Sequence, residues 1–314
     1  MNQIKIFTPA TIANIGCGFD ILGFAFSSLG DIVTLEKIEE KKIEITEVKG
    51  YSELPTEPEK NTVTIPILRI MSDYNLDFGV RVKIKKNIPI ASGMGSSAAG
   101  AVAGSFGISY LAGKILSDKE ILEYALEAEG TISGEKHADN IAPCYYGGIT
   151  LIRNTEKLEI IKLPIPEDIS CIIMHPHIEI KTEYARKLLK DLIETSKCIK
   201  QMANIASFIA GIFQNDKNLL SSANIDFIAE PHRAELIPKY YRLKESALKS
   251  GAIACNISGS GPSIFVLYHN NDTRNKIIDS IKKIYDKKKL NYDLYFGKIS
   301  KIGVKIIEES NEVL

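Results

Sequence analysis

One segment constrains this chain more than any other: Pro89-Ile90-Ala91-Ser92-Gly93-Met94-Gly95-Ser96-Ser97-Ala98-Ala99-Gly100. A strand-like run, Val80–Lys85, precedes it, and a small-residue helix is predicted from about Ser96 to Leu116. Glycines let the backbone turn sharply and approach a ligand closely. The helix start supplies unpaired N–H groups and a positive dipole end, which together favour phosphate. Ser96 and Ser97 add hydroxyls, one of them suited to Mg²⁺, and Ala98 and Ala99 keep the first turn thin enough for a triphosphate. Neither GKS/GKT nor G-x-G-x-x-G occurs in this segment, which excludes a Walker A loop and a dinucleotide fingerprint. Read alone, these residues fit a tight strand–helix turn equally well.

Around this loop the chain reads as two mixed halves. In the first, β-branched runs at Ile4–Thr8, Ile32–Ile38 and Ile43–Val48 are predicted strands, Ser117–Asp118 caps a second helix, and Ile149–Ile152 with Leu158–Leu163 forms a strand pair. Leu163-Pro-Ile-Pro-Glu167 marks the join, giving domains at 1–163 and 164–314. In the second half, a strand at Ile169–Met174 leads into helices from about Lys181 to Ser222 and another through Tyr240–Leu248. A strand–turn–strand unit at Ala252–Tyr268, a helix at Thr273–Tyr285 and two final strands complete an α+β chain.

With 39 basic and 39 acidic residues, nothing global favours nucleic acid or an anionic membrane. The lysine-rich run over 282–289 alternates with Ile281, Ile284 and Tyr285, as on the wet face of an amphipathic helix. Five cysteines without a CxxC pair, no signal-peptide pattern and no long apolar run imply a reducing, cytoplasmic setting. His175-Pro-His177 lacks a third ligand at metal spacing and reads as a strand end. Arginine is scarce, with only seven among the 39 basic residues, and its planar fork grips a carboxylate as lysine cannot.

Three separate motifs carry a family resemblance: Pro9-Ala-Thr-Ile-Ala-Asn14-Ile-Gly-Cys-Gly-Phe-Asp20, the loop above, and Cys255-Asn-Ile-Ser258-Gly-Ser-Gly-Pro-Ser263. Together they resemble the GHMP kinases. Glu129, His137-Ala-Asp139-Asn140-Ile-Ala-Pro143, Thr182-Glu-Tyr-Ala-Arg186 and Glu230-Pro-His-Arg233 resemble the branch that phosphorylates L-homoserine, although Cys17 stands where that branch commonly has proline.

The resemblance implies a two-domain fold, with an N-terminal mixed α/β nucleotide-binding domain and a C-terminal ferredoxin-like sandwich. It implies transfer of the ATP γ-phosphoryl group to the L-homoserine hydroxyl, giving O-phospho-L-homoserine in threonine biosynthesis, with ATP and Mg²⁺ as requirements. Arg186 and Arg233 would hold the substrate carboxylate, Asp20 its ammonium, and Asn14 and His137 its hydroxyl end. Glu129 and Ser97 would hold the metal; Lys86, residues 89–98, and Asn61 with a strand following it would border the nucleotide. Some relatives place a catalytic aspartate where this chain has Asn140, which leaves the site without an assigned general base. Homodimer formation is implied by the family alone. A kinase of another small alcohol, such as mevalonate, or a non-catalytic sensor of ATP or an amino acid, stays open at this level.

Overall fold

The computed structural model describes residues 2–307 apart from positions 52, 135 and 191. A long hairpin organises the first half. Strand β1 (Gln3–Ala13) pairs antiparallel with β2 (Leu22–Ile38), from Gln3↔Glu36 to Ala13↔Gly23, with a register shift between Pro9 and Thr11. The hairpin tip is therefore the N-terminal motif itself. Its turn runs through left-handed conformations at Asn14, Ile15, Gly16 and Asp20.

Strand β3 (Ile43–Lys49) runs parallel to β4 (Gly79–Lys85), which pairs with β2. Between them lies helix α1 (Thr64–Asp73), so Asn61 precedes a helix and not the expected strand. The Asn61 side chain accepts from the Val63 amide at 2.9 Å and donates to the Pro55 carbonyl at 2.8 Å, which shapes the helix start. Pro66 sits within the first turn of α1, where a missing N–H costs nothing, and the apolar face of Ile67 and Ile70 is buried.

Helix α2 (Ser96–Leu111) packs its alanines against the sheet. Helix α3 (Asp118–Ser133) begins at the predicted Ser117–Asp118 cap, which proves to be a reciprocal capping box between Ser117 and Glu120. Helix α4 (Ala138–Tyr146) leads into β5 (Ile149–Asn154), which joins β2 to β6 (Glu159–Leu163).

The second half begins with β7 (Ser170–Pro176), followed by α5 (Thr182–Lys187), α6 (Thr195–Gln214), α7 (Lys217–Ala223), the single turn α8 (Glu230–Arg233) and α9 (Tyr240–Lys249). Strands β8 (Ala254–Ile257) and β9 (Ile264–Tyr268), helix α10 (Asn271–Tyr285) and β10 (Tyr292–Lys298) complete an antiparallel sheet of order β10-β7-β9-β8. That is the ferredoxin-like order, the fourth strand of the unit beside the first and the third beside the second.

Strand side chains alternate between faces, and both faces of this sheet are covered. Ile172 and Met174 meet Leu243, Ala247, Ile277, Ile281 and Tyr285 of α9 and α10. Cys171 and Ile173 join the core of the first half, where Phe24 and Phe265 pack edge to face. A continuous apolar run in β7 follows from having no wet side. On α10, Lys282 and Lys283 stay exposed while Ile281 and Ile284 are buried, as the alternation predicts. Strand β11 (Lys305–Ile306) then returns to the first sheet and pairs with β1. Among the described residues, no helix is long and apolar enough to cross a membrane.

Candidate active site

The three motifs meet. In the loop between β4 and α2, Gly93 and Gly95 have φ of 77° and 68°, the left-handed region that glycine occupies without strain. Side-chain space is lacking as well. A Cβ on Gly93 would lie 2.3 Å from the Ser258 carbonyl oxygen, and one on Gly95 would lie 1.9 Å from Thr11 Oγ1. The turn between β8 and β9 supports the loop from one side: Ser258 Oγ donates to the Gly93 carbonyl at 2.7 Å, and the Ser263 amide to the Ser92 carbonyl at 3.1 Å. From the hairpin, the Thr11 amide donates to the Met94 carbonyl at 3.1 Å.

Beneath the loop lies a buried ion pair that the sequence did not single out. Asp31 of β2 accepts from the Lys86 ammonium and from the Asn87 and Ile88 amides at 2.8 and 2.9 Å. Lys86 also donates to the Ser96 carbonyl at 2.7 Å, tying the helix start to the strand. Lys86 is thus engaged behind the loop. No pattern marked Asp31, because a lone aspartate at a strand edge resembles any turn residue.

Glu129 of α3 is carried next to Ser97. Burial pushes its carboxyl above the usual range, offset by the Ser97 hydroxyl and by the charge of Lys86. A buried carboxylate beside a hydroxyl at a helix N-terminus is a hard oxygen donor set, and such a set suits Mg²⁺, whose remaining ligands are waters and phosphate oxygens.

The hairpin tip forms the other wall. Asn14 Nδ2 donates to the Gly259 carbonyl at 3.0 Å, while Asn14 Oδ1 accepts from the Asp20 amide at 3.0 Å. Arg233, buried on α8, donates to the same Gly259 carbonyl at 2.9 Å. Arg186 on α5 grips Asp20 with both prongs, at 2.7 and 3.1 Å, and its Nη2 lies 2.7 Å from His137 Nε2. Phe19 lies beneath both guanidinium groups, at 5.2 Å from Arg186 and 5.3 Å from Arg233. Phe19 stands in the N-terminal motif beside Asp20, but only the fold gives it this role. Burial and the nearby Arg186 charge lower the pKa of Arg233, and Asp20, Asp226 and Asp139 oppose that shift.

Helix α4 splits its first turn between two tasks. Asn140 accepts from Thr11 Oγ1 at 2.7 Å, next to Gly95. Asp139 is buried, and burial followed by the charge of Asp20 pushes its carboxyl up to about 7. Because this exceeds the unfolded value of about 3.9, the folded form holds an extra proton across that interval. The stabilisation is full below the unfolded value and fades as pH rises through about 7. Asp139→Asn is therefore expected to gain thermal stability over wild type progressively from pH 4 to pH 8, by about one unfolding-midpoint step of several degrees. A constant difference in unfolding midpoint across that range would contradict the burial argument. His175 and His177 are engaged elsewhere, the first with Ser263 Oγ at 3.1 Å and the second with Asp293 at 3.0 Å.

Comparison with known proteins places the chain in a family. Residues 61–148 match the GHMP kinase N-terminal domain, and residues 198–287 match the GHMP kinase C-terminal domain. A homoserine kinase from Chlorobium phaeobacteroides is 38% identical, over 98% of this chain and all of that one. The chain belongs to the homoserine kinase branch of the GHMP kinase family. The crystal structure of homoserine kinase from Cytophaga hutchinsonii superposes with a TM-score of 0.93 at 41% identity, covering 98% of each chain. Mevalonate kinase of L. major, at 15% identity and a TM-score of 0.70 over 94% of this chain and 96% of its own, shares the fold alone. This GHMP kinase is accordingly a phosphotransferase with the two-domain fold of its family.

Proposed function

We propose that this GHMP kinase transfers the γ-phosphoryl group of ATP to the hydroxyl of L-homoserine, with Mg²⁺ bound by Glu129 and Ser97. The observation that carries the substrate reading is a charge pair fitted to an amino acid. Asp20 and Asn14, on the tip of the hairpin that also braces the phosphate loop, stand beside Arg186 of α5 and Arg233 of α8. Mevalonate has a carboxylate but no ammonium, and so offers Asp20 no group to hold.

In this reading the amides of residues 92–98 and the N-terminus of α2 take the phosphates. Lys86 and Asp31 keep that loop in shape from behind. Asn61, at the start of α1, borders the adenine. When bound, Mg²⁺ neutralises charge on the transferring phosphoryl group. Arg186 and Arg233 hold the carboxylate and Asp20 the ammonium, while Asn14 and His137 orient the hydroxyl. Asn140 cannot accept a proton as a carboxylate does, and Asp139 faces the Asp20 and arginine cluster. Positioning in a loose transition state then carries the reaction without a dedicated base. The phosphate loop belongs to residues 1–163 and the carboxylate clamps to residues 164–314, with β11 stitching the halves together; the setting is the cytoplasm.

The test is a panel of alcohols with ATP, Mg²⁺ and coupled ADP detection. L-Homoserine should be turned over best. Preference for mevalonate, or binding of ATP and homoserine without any ADP formed, would remove this reading.

A further inference from the structure

Glu230 belongs to the same sequence motif as Arg233, and its partner is Lys244 of α9, whose ammonium donates to both carboxylate oxygens at 2.7 and 2.6 Å. Side-chain exposures of 8% for Glu230 and 14% for Lys244 make this a buried pair, which persists only if its remaining hydrogen-bonding capacity is met. Lys244 meets it by also donating to Asn256 Oδ1 at 2.8 Å, an atom that accepts from the Tyr240 hydroxyl at 3.3 Å as well. Two donors on that oxygen fix which way the Asn256 amide points. Its Nδ2 then donates to the Asn224 backbone carbonyl at 3.0 Å and to Asn224 Oδ1, and Asn224 Nδ2 donates to the Ile15 carbonyl at 2.8 Å.

This chain of contacts ends on the hairpin tip, where the backbone is strained. Asn14, Ile15 and Gly16 have φ of 71°, 42° and 69°. A β-branched residue in the left-handed region persists only where its surroundings hold it there. Gly16 lies directly on the amides: a Cβ there would be 2.5 Å from Asn256 Nδ2 and 2.7 Å from Asn224 Oδ1. Gln201 of α6 holds the Cys17 carbonyl and accepts from the Phe227 amide at 2.8 Å. At the other end of the chain, Asp226 anchors the start of α8, accepting from the Ile228, Ala229 and Glu230 amides at 2.7, 3.0 and 2.9 Å. Asp226, Glu230 and Asn256 share with Asn14 and Arg233 the lining of a cavity of about 10 Å³, space for a single water and too small for substrate.

We infer that Lys244, Asn256 and Asn224 are positioning residues for the acceptor: with Glu230 they tie the hairpin tip that bears Asn14 and Asp20 to the helical turn that bears Arg233. They act through those residues and not on the substrate. Their effect is to hold the groups that grip the amino-acid head at one spacing, so that the hydroxyl arrives in line with the γ-phosphoryl group. The inference rests on the homoserine reading, and the experiment separates the two.

Lys244→Met alone would strand a buried carboxylate, so the ion pair is removed as a unit, in the double variant Glu230→Gln with Lys244→Met. Replacing both charges of a buried pair is often neutral for stability, and the unfolding midpoint should stay near wild type. The value of kcat/KM for L-homoserine should nevertheless fall about 10- to 100-fold, with KM for ATP within about twofold of wild type. Asn224→Ser leaves the ion pair in place and shortens the last link, and should give the same loss. Added to the double variant it should cost little more, because both changes cut one chain. Wild-type kcat/KM in the double variant, an equal rise in KM for ATP, or losses from the two cuts that multiply would overturn the inference. If the double variant loses thermal stability, Asn224→Ser alone decides by the same two kinetic readouts. Wild type with the panel of alcohols tests the homoserine reading separately: if another alcohol is preferred, that reading fails, and the variants are assayed with that alcohol.

Discussion

Arg233→Ala should lower kcat/KM for L-homoserine by about 30-fold to several-thousand-fold, the equivalent of about 2–5 kcal/mol. The range is that of a buried guanidinium paired, as proposed above, with a substrate carboxylate, where removing one partner leaves the other without compensation. Arg186→Ala should fall at the lower end, because its side chain is 23% exposed and solvent screens part of the interaction. Lysine should rescue neither position well. It keeps the charge but loses the fork, and at 233 it also loses the planar group that rests on Phe19 and reaches the Gly259 carbonyl. The KM for ATP should stay unchanged in all these variants. Steady-state kinetics with homoserine and 3-amino-1-propanol decide the matter, since the alanine variants should discriminate much less between the two. Loss of ATP affinity with homoserine preference retained would assign these arginines to the nucleotide or the fold.

Glu129→Gln should cut kcat by about 10²–10³-fold, the usual cost of removing one group that stabilises transition-state charge. The substitution keeps the shape of the side chain and removes the charge that burial already disfavours, so the protein should remain folded and its unfolding midpoint should not fall. Raising Mg²⁺, or supplying Mn²⁺, should restore part of the activity. Ser97→Ala should act in the same direction more weakly, because water replaces one neutral oxygen. Turnover near the wild-type level at limiting Mg²⁺ would show that Glu129 is no metal ligand.

Much of this molecule was legible in its residues. The Ser117–Asp118 cap, the alternation in α10 and the strand–turn–strand unit at 252–268 depend on local rules of capping and periodicity, and each appears where those rules place it. Among the few arginines, the family resemblance points to Arg186 and Arg233, and both reach the hairpin tip. Where local reading failed, non-local packing was the reason. The segment after Asn61 reads Thr-Val-Thr-Ile, a β-branched run, yet it enters α1 because Asn61 organises the turn and the face of Ile67 and Ile70 docks on the core. Strands β1 and β2 extend well beyond the predicted Ile4–Thr8 and Ile32–Ile38. Their small and glycine-containing ends pair only because each has the other as a partner.

The sequence by itself determined a glycine loop ahead of a helix, two mixed α/β halves and a short set of polar residues suited to phosphate, metal and carboxylate. These follow from backbone freedom, hydrophobic period and side-chain chemistry, all properties of residues near one another in the chain. Tertiary structure alone decided which of those residues face one another. It set Asp31 beneath the loop as the partner of Lys86, laid Phe19 under two guanidinium groups, and joined Asp20 to Arg186. Contacts between residues so far apart in sequence arise from the closure of two sheets around a shared core. No local pattern encodes that distance, because the pairing energy exists only after the intervening chain has folded.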